Sequence, residues 1–159
     1  MKKFFILIIV MISVTTSYAE EPLSVGSNAK FYAYRFDNEY FLILSFKDDD
    51  ENRLTDGSVI KFMLTDGKIL KLEGVDASKS TKNKSVNWGL GISSGSSSDT
   101  HFAIFGITKE QIEMLKAGID KIAINTIPEV YQRNKWSGKA DFGKTLYKNF
   151  SDIKDEFEQ

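Results

Sequence analysis

The chain has 159 residues, with 21 Lys and Arg against 22 Asp and Glu, and no cysteine. So even a balance gives no net electrostatic footprint for nucleic acid or an anionic membrane. The missing thiols exclude a disulfide framework and cysteine chemistry. An aromatic content of 13% suits a β-rich core or an adhesive surface, and composition does not choose between them.

The N-terminus reads as an export signal. Lys2 and Lys3 precede an unbroken apolar run from Phe4 to Ile12, and Ser17 and Ala19 place small residues where signal peptidase requires them. The run is too short to span a bilayer core of about 30 Å. The expectation is cleavage between Ala19 and Glu20 and release into the periplasm or the medium, with no membrane insertion afterwards. Residues 1–19 are then the signal peptide and residues 20–159 a single globular domain. Losing Lys2 and Lys3 leaves 19 basic against 22 acidic residues, a formal charge of −3.

Residues 29–36 and 40–46 are strand-like runs separated by Asp37-Asn38-Glu39, which predicts a tight turn. The second run is apolar on both faces, with Tyr40, Leu42, Leu44 and Phe46 on one and Phe41 and Ile43 on the other. Such a strand belongs mid-sheet: a helix covers one face, and another layer, a cavity or a partner chain covers the other. Residues 58–65 and 68–73 flank Asp66-Gly67, a strong hairpin signal. A three-residue loop with Gly67 as a left-handed bulge pairs Phe62 with Leu70 and Ile60 with Leu72, gathering the apolar side chains on one face. The two-residue alternative scatters them.

Residues 76–85 are polar and lysine-rich and predict a loop. A short strand is expected near 86–92, a Ser-rich linker over 93–100, and another strand over 101–106. Thr108 and Gln111 form a capping box, with Ile107 and Ile112 at the staple positions and Gly118 placed for a left-handed cap. That predicts a helix over about 108–117. Residues 119–126 alternate as a strand, Ile127-Pro128-Glu129 turns, and 130–136 returns as a polar edge strand. Phe142, Leu146, Phe150, Ile153 and Phe157 form one face of a last helix over about 141–157. The class predicted is α+β: a curved antiparallel sheet of about six to seven strands with both helices packed on one face.

Four motifs compete for a function. Gly138 to Thr145 (GKADFGKT) matches the phosphate-cradling pattern, which needs a buried parallel strand before it and more such strands after it. Here a half-polar strand precedes it, only fourteen residues follow, and Phe142 belongs to the helical stripe. With Gly at about 7% of average usage, the pattern arises by chance on the order of once per hundred chains of this size. Nucleotide binding through this stretch is rejected in favour of a helix start. Gly91 to Gly95 matches a nucleophile elbow, but a Ser-rich linker follows instead of a helix. A hydrolase would have to use Ser93 with His101, the single histidine.

Asp48, Asp50 and Asn52 imitate the opening of a calcium loop, but Arg53 stands where its glycine belongs and Val59 where its bidentate glutamate belongs. They remain weak metal candidates, and no cofactor is expected. Tyr32, Tyr34, Tyr40, Trp88, Tyr131 and Trp136 offer an aromatic platform, with Trp136 expected to be the exposed member. The overall pattern resembles the small signal-bearing α+β proteins that bacteria export, a resemblance too broad to carry a function. The reading that follows is a non-enzymatic binding or protein-interaction domain of the inhibitor or immunity type, docking on another exported or envelope protein. Its candidate contacts are Trp136, Tyr131, Trp88, Phe41 and Ile43. The alternatives are a small-ligand binder with an apolar, aromatic cavity, or a Ser-dependent hydrolase.

Overall fold

The computed structural model describes residues 22–48, 53–54, 58–76, 100–127 and 129–157. In chain order the strands are β1 (Leu23–Val25), β2 (Ala29–Phe36), β3 (Glu39–Lys47), β4 (Arg53–Leu54), β5 (Val59–Leu64), β6 (Ile69–Asp76) and β7 (Thr100–Ile107). Helix α1 (Lys109–Met114) runs into a 3-10 turn (Leu115–Ala117), followed by β8 (Ile119–Ile124), β9 (Thr126–Ile127), β10 (Tyr131–Arg133) and helix α2 (Lys139–Phe157). Eight strands form one antiparallel sheet in the order β1-β2-β3-β7-β6-β5-β8-β10, and β4 pairs with β9 beside it. The sheet is curved and open, with both helices on its inner side.

Local chemistry sets each turn. Asp37 and Asn38 both have positive φ, at 46° and 64°, and Phe36 pairs directly with Glu39. The loop is therefore two residues, not three, because paired left-handed residues match the twist of the flanking strands. The β5–β6 turn is the predicted bulged one: Ile60 pairs with Leu72 and Phe62 with Leu70, Leu64 N–H donates to the Lys68 carbonyl, and Gly67 sits at φ 85°. The capping box of α1 is formed, with Gln111 N–H donating to Thr108 Oγ1 at 3.2 Å and Thr108 N–H to Gln111 Oε1 at 2.9 Å. Gly118 does not close that helix with a left-handed cap. The chain tightens into the 3-10 turn and leaves through Gly118 at φ 88°, ψ 160°, a conformation open to glycine alone.

β3 lies between β2 and β7, and its side chains from Tyr40 to Leu44 are at most 6% exposed. Tyr40, Leu42, Leu44 and Phe46 join the inner core. Phe41 and Ile43 lie on the other face with Tyr34, Phe102 and Ile104, all five buried within the chain. The strand predicted to be covered on both faces is so covered. The strand expected near 86–92 lies outside the described residues. The edge strand predicted over 130–136 shortens to Tyr131–Arg133, since the chain bends away through Asn134 and Lys135 toward α2.

Helix α2 fills the curl. Phe142, Leu146, Phe150 and Ile153 are 0–3% exposed, and Phe142 meets Phe31 edge-on at 5.8 Å. The stretch from Lys139 to Thr145 is thus helical, and the glycine of the phosphate-like pattern has a packing role. A Cβ at Gly143 would stand 2.8 Å from the Leu115 carbonyl oxygen and 3.0 Å from Gly118 Cα. The absent side chain lets α2 sit against the backbone of the 3-10 turn. Alanine at an unhindered helical position would add about 1 kcal/mol of stability over glycine. Here Gly143→Ala must displace backbone, so a net loss of about 1–3 kcal/mol is expected in urea unfolding. A variant as stable as the parent would contradict the close approach.

Candidate functional site

The two edges of the sheet approach one another, and Tyr131 bonds across the seam. Tyr131 of β10 is 3% exposed and packs edge-on to Phe46 at 5.2 Å, and its hydroxyl donates to the Val25 carbonyl of β1 at 3.2 Å. Gly26, at φ 63°, makes room there: a Cβ would lie 3.0 Å from the Tyr131 hydroxyl oxygen. Beyond this bridge the edges separate. A groove of about 640 Å³ opens between Pro22–Ser24 on one side and Lys135–Gly138 with the first turns of α2 on the other.

The strand register sets what the groove offers. Lys47 N–H donates to the Asn28 carbonyl at 2.7 Å, so Asn28 and every second residue after it turn their backbone groups toward β3. Ala29 and Phe31 then turn toward β1 and bond Val25 and Leu23. That leaves the N–H and C=O of Ser24 facing the seam. Strand edges of this kind are templates for a further strand.

The opposite wall is aromatic and firmly backed. Trp136 meets Phe142 edge-on at 5.6 Å, Phe142 meets Phe31 at 5.8 Å, and Phe31 meets Phe62 at 5.9 Å, a chain of rings running from the groove into the core. Lys139 pins the loop behind Trp136 by bonding the Asp120 carboxylate at 2.8 Å and the Asn134 carbonyl at 2.7 Å. The sequence predicts an exposed Trp136, but packing against Phe142 leaves it half-buried. Its indole Nε1 is buried and has no hydrogen-bond partner among the described residues. A buried donor left unmade costs about 1–3 kcal/mol.

The other expected site residues are scattered. Tyr131 is the bridge itself, a core residue at the end of the groove. Phe41 and Ile43 are 4% exposed on the far face of β3, and Trp88 lies outside the described residues. Tyr34 and Tyr40 are buried, and burial pushes the half-buried Tyr32 phenol above its usual 10.0. Asp48 is engaged: one carboxylate oxygen lies 2.8 Å from His101 Nε2, and the other accepts from Leu54 N–H. Asp50, Asn52 and Ser93 lie outside the described residues. Among those described, no group of three or more acidic or His side chains could hold a metal.

Sequence reasoning missed the β1 half of the groove, because three residues are too few to show a period. A second, smaller cleft of about 310 Å³ lies where α1 and α2 meet the start of β3. Its apolar side is Tyr40, Ile112 and Phe150, and its polar side includes Lys109, Glu113 and Tyr147. Tyr147 donates to Glu113 at 3.2 Å across it.

No protein-family model, curated protein or solved structure matches the chain, so the site is read from its own geometry.

The Tyr131 bridge is directly testable. Tyr131→Phe keeps the ring against Phe46 and removes the bond to Val25. A loss of about 0.5–1.5 kcal/mol in thermal unfolding is expected, with faster amide exchange confined to β1 and β10. An unchanged exchange pattern would show that the edges do not depend on this bond.

Proposed function

We propose that the chain is an exported, non-enzymatic binding domain that recognises another exported or envelope protein through the seam groove. The observation that carries this reading is the unpartnered indole N–H of Trp136 in a rigid wall beside a free strand edge. An acceptor reaches the buried Nε1 only where binding shifts Trp136, and a partner that does so removes a cost the isolated domain bears; Trp is among the residue types that dominate protein interfaces. Leu23, Trp136 and Phe142 supply apolar surface, while Ser24, Ser137 and Thr145 supply a polar rim.

The test is a photo-crosslinking amino acid placed at Ser137 in the exporting cell. Capture of one defined envelope protein is expected there, and none from the same probe at Lys144 on the exposed side of α2. Trp136→Phe should weaken the captured complex about fivefold to tenfold, the worth of one hydrogen bond. The same substitution removes the unmet donor but also part of the ring packed on Phe142; these effects oppose, so unfolding stability should change by no more than about 1 kcal/mol. Equal capture from both probe positions would remove the basis of the reading.

The smaller cleft favours a second reading, a small amphipathic ligand held between the helices and β3. Native mass spectrometry of protein taken from its own envelope should then show an added mass that Ile112→Trp abolishes. A clean apo mass would leave this reading without support.

A further inference from the structure

The outer face of β5, β6 and β8 carries lysines where strand pairing disfavours them. Lys61 on β5 lies directly opposite Lys71 on β6, and Lys121 on β8 is the partner of Met63, one diagonal step from Lys61. Like charges directly opposite on a sheet are destabilising. Glu73 takes up Lys71 at 2.5 Å, and that lysine holds the Glu73 carboxyl below its usual range. Lys61 and Lys121 have no ion-pair partner among the described residues. Between them Met63 and Ile69 face each other across the strands, 39% and 59% exposed, next to the turn that carries Lys68. The near-zero charge of the whole chain conceals this sorting, which is why composition alone shows no footprint for an anionic surface.

We propose that this face docks the domain peripherally on a bilayer rich in anionic lipid. The phosphate headgroups complement Lys61 and Lys121, and draw Lys71 from Glu73, while Met63 and Ile69 reach the boundary with the acyl chains. An acidic protein surface would meet the charges and leave the apolar pair in water. The cations of the face are all lysines, compact point charges that need no bidentate geometry and therefore suit a fluid array of headgroups. The seam groove lies beyond β10, the strand next to β8, and none of Lys61, Lys71 and Lys121 lines it, so the two surfaces are distinct.

The test is co-flotation of the exported chain with phosphatidylcholine vesicles, with or without about 30% phosphatidylglycerol, at about 50 mM and about 500 mM salt. Binding is expected on the anionic vesicles alone and only at low salt. The triple variant Lys61→Glu, Lys71→Glu, Lys121→Glu should abolish it. Ile69→Ser should weaken it several-fold without changing the salt dependence, and Lys144→Glu on α2 should leave it unchanged. If the triple variant does not fold, Lys61→Gln and Lys121→Gln should each lower partitioning about fivefold. Absence of binding to anionic vesicles, or binding that survives these substitutions, overturns the proposal. Binding to soluble polyglutamate without any vesicle association overturns it too, and assigns the face to an acidic protein.

Discussion

The fold depends on how deeply α2 lies in the curl of the sheet. Gly143 lets the helix backbone meet the Leu115 carbonyl and Gly118 Cα, and that depth brings Phe142 onto Phe31. Phe31 in turn meets Phe62, so β2 and β5, which stand four places apart in the sheet, are joined through one aromatic run. A helix held further out would leave this run broken and the sheet flatter. The close approach at Gly143 and the rings that follow from it hold the helix within the curl.

A sheet curled this far brings its two edges together but does not close. β1 and β10 are three residues each, and the Tyr131 hydroxyl bonds across the gap between them. What results is an edge in search of a partner. Ser24 presents backbone groups and Trp136 the accessible part of its ring, which the ring chain behind it holds in place in advance of any binding. Preorganisation of this kind lowers the entropic cost of association. The sheet also divides its outer surface: around β3 it is apolar and buried, and around β5 it is exposed and lysine-rich.

Strong periodicity makes an element legible in the amino-acid sequence. The five-point stripe beginning at Phe142 locates α2, the Thr108–Gln111 pair locates the start of α1, and the alternation of Ile60, Phe62 and Leu64 selects the β5–β6 register. The double burial of β3 follows from its unbroken apolar run. The site is legible only in part. Trp136 stands out, but its half-burial depends on Phe142, which a strand reading of 130–136 places out of reach. β1 and β4 are invisible because two or three residues carry no pattern, and their pairing is fixed by distant segments. Asp48 and His101 each suggest a separate chemistry in the sequence, and tertiary structure joins them to one another instead. The lysine face is hidden for the opposite reason: its charges cancel in composition and separate only when β5, β6 and β8 align.

The central claim is that the Trp136 indole N–H is buried and unpaired in the free domain, waiting for an acceptor. The direct measurement is solvent exchange of the two tryptophan indole protons by NMR, with Trp88→Phe assigning the remaining signal to Trp136. The expected result is an indole proton protected from exchange while its nitrogen shows no coupling across a hydrogen bond. Exchange as fast as that of free indole would contradict the claim, because a solvated N–H carries no unmet bond for a partner to satisfy.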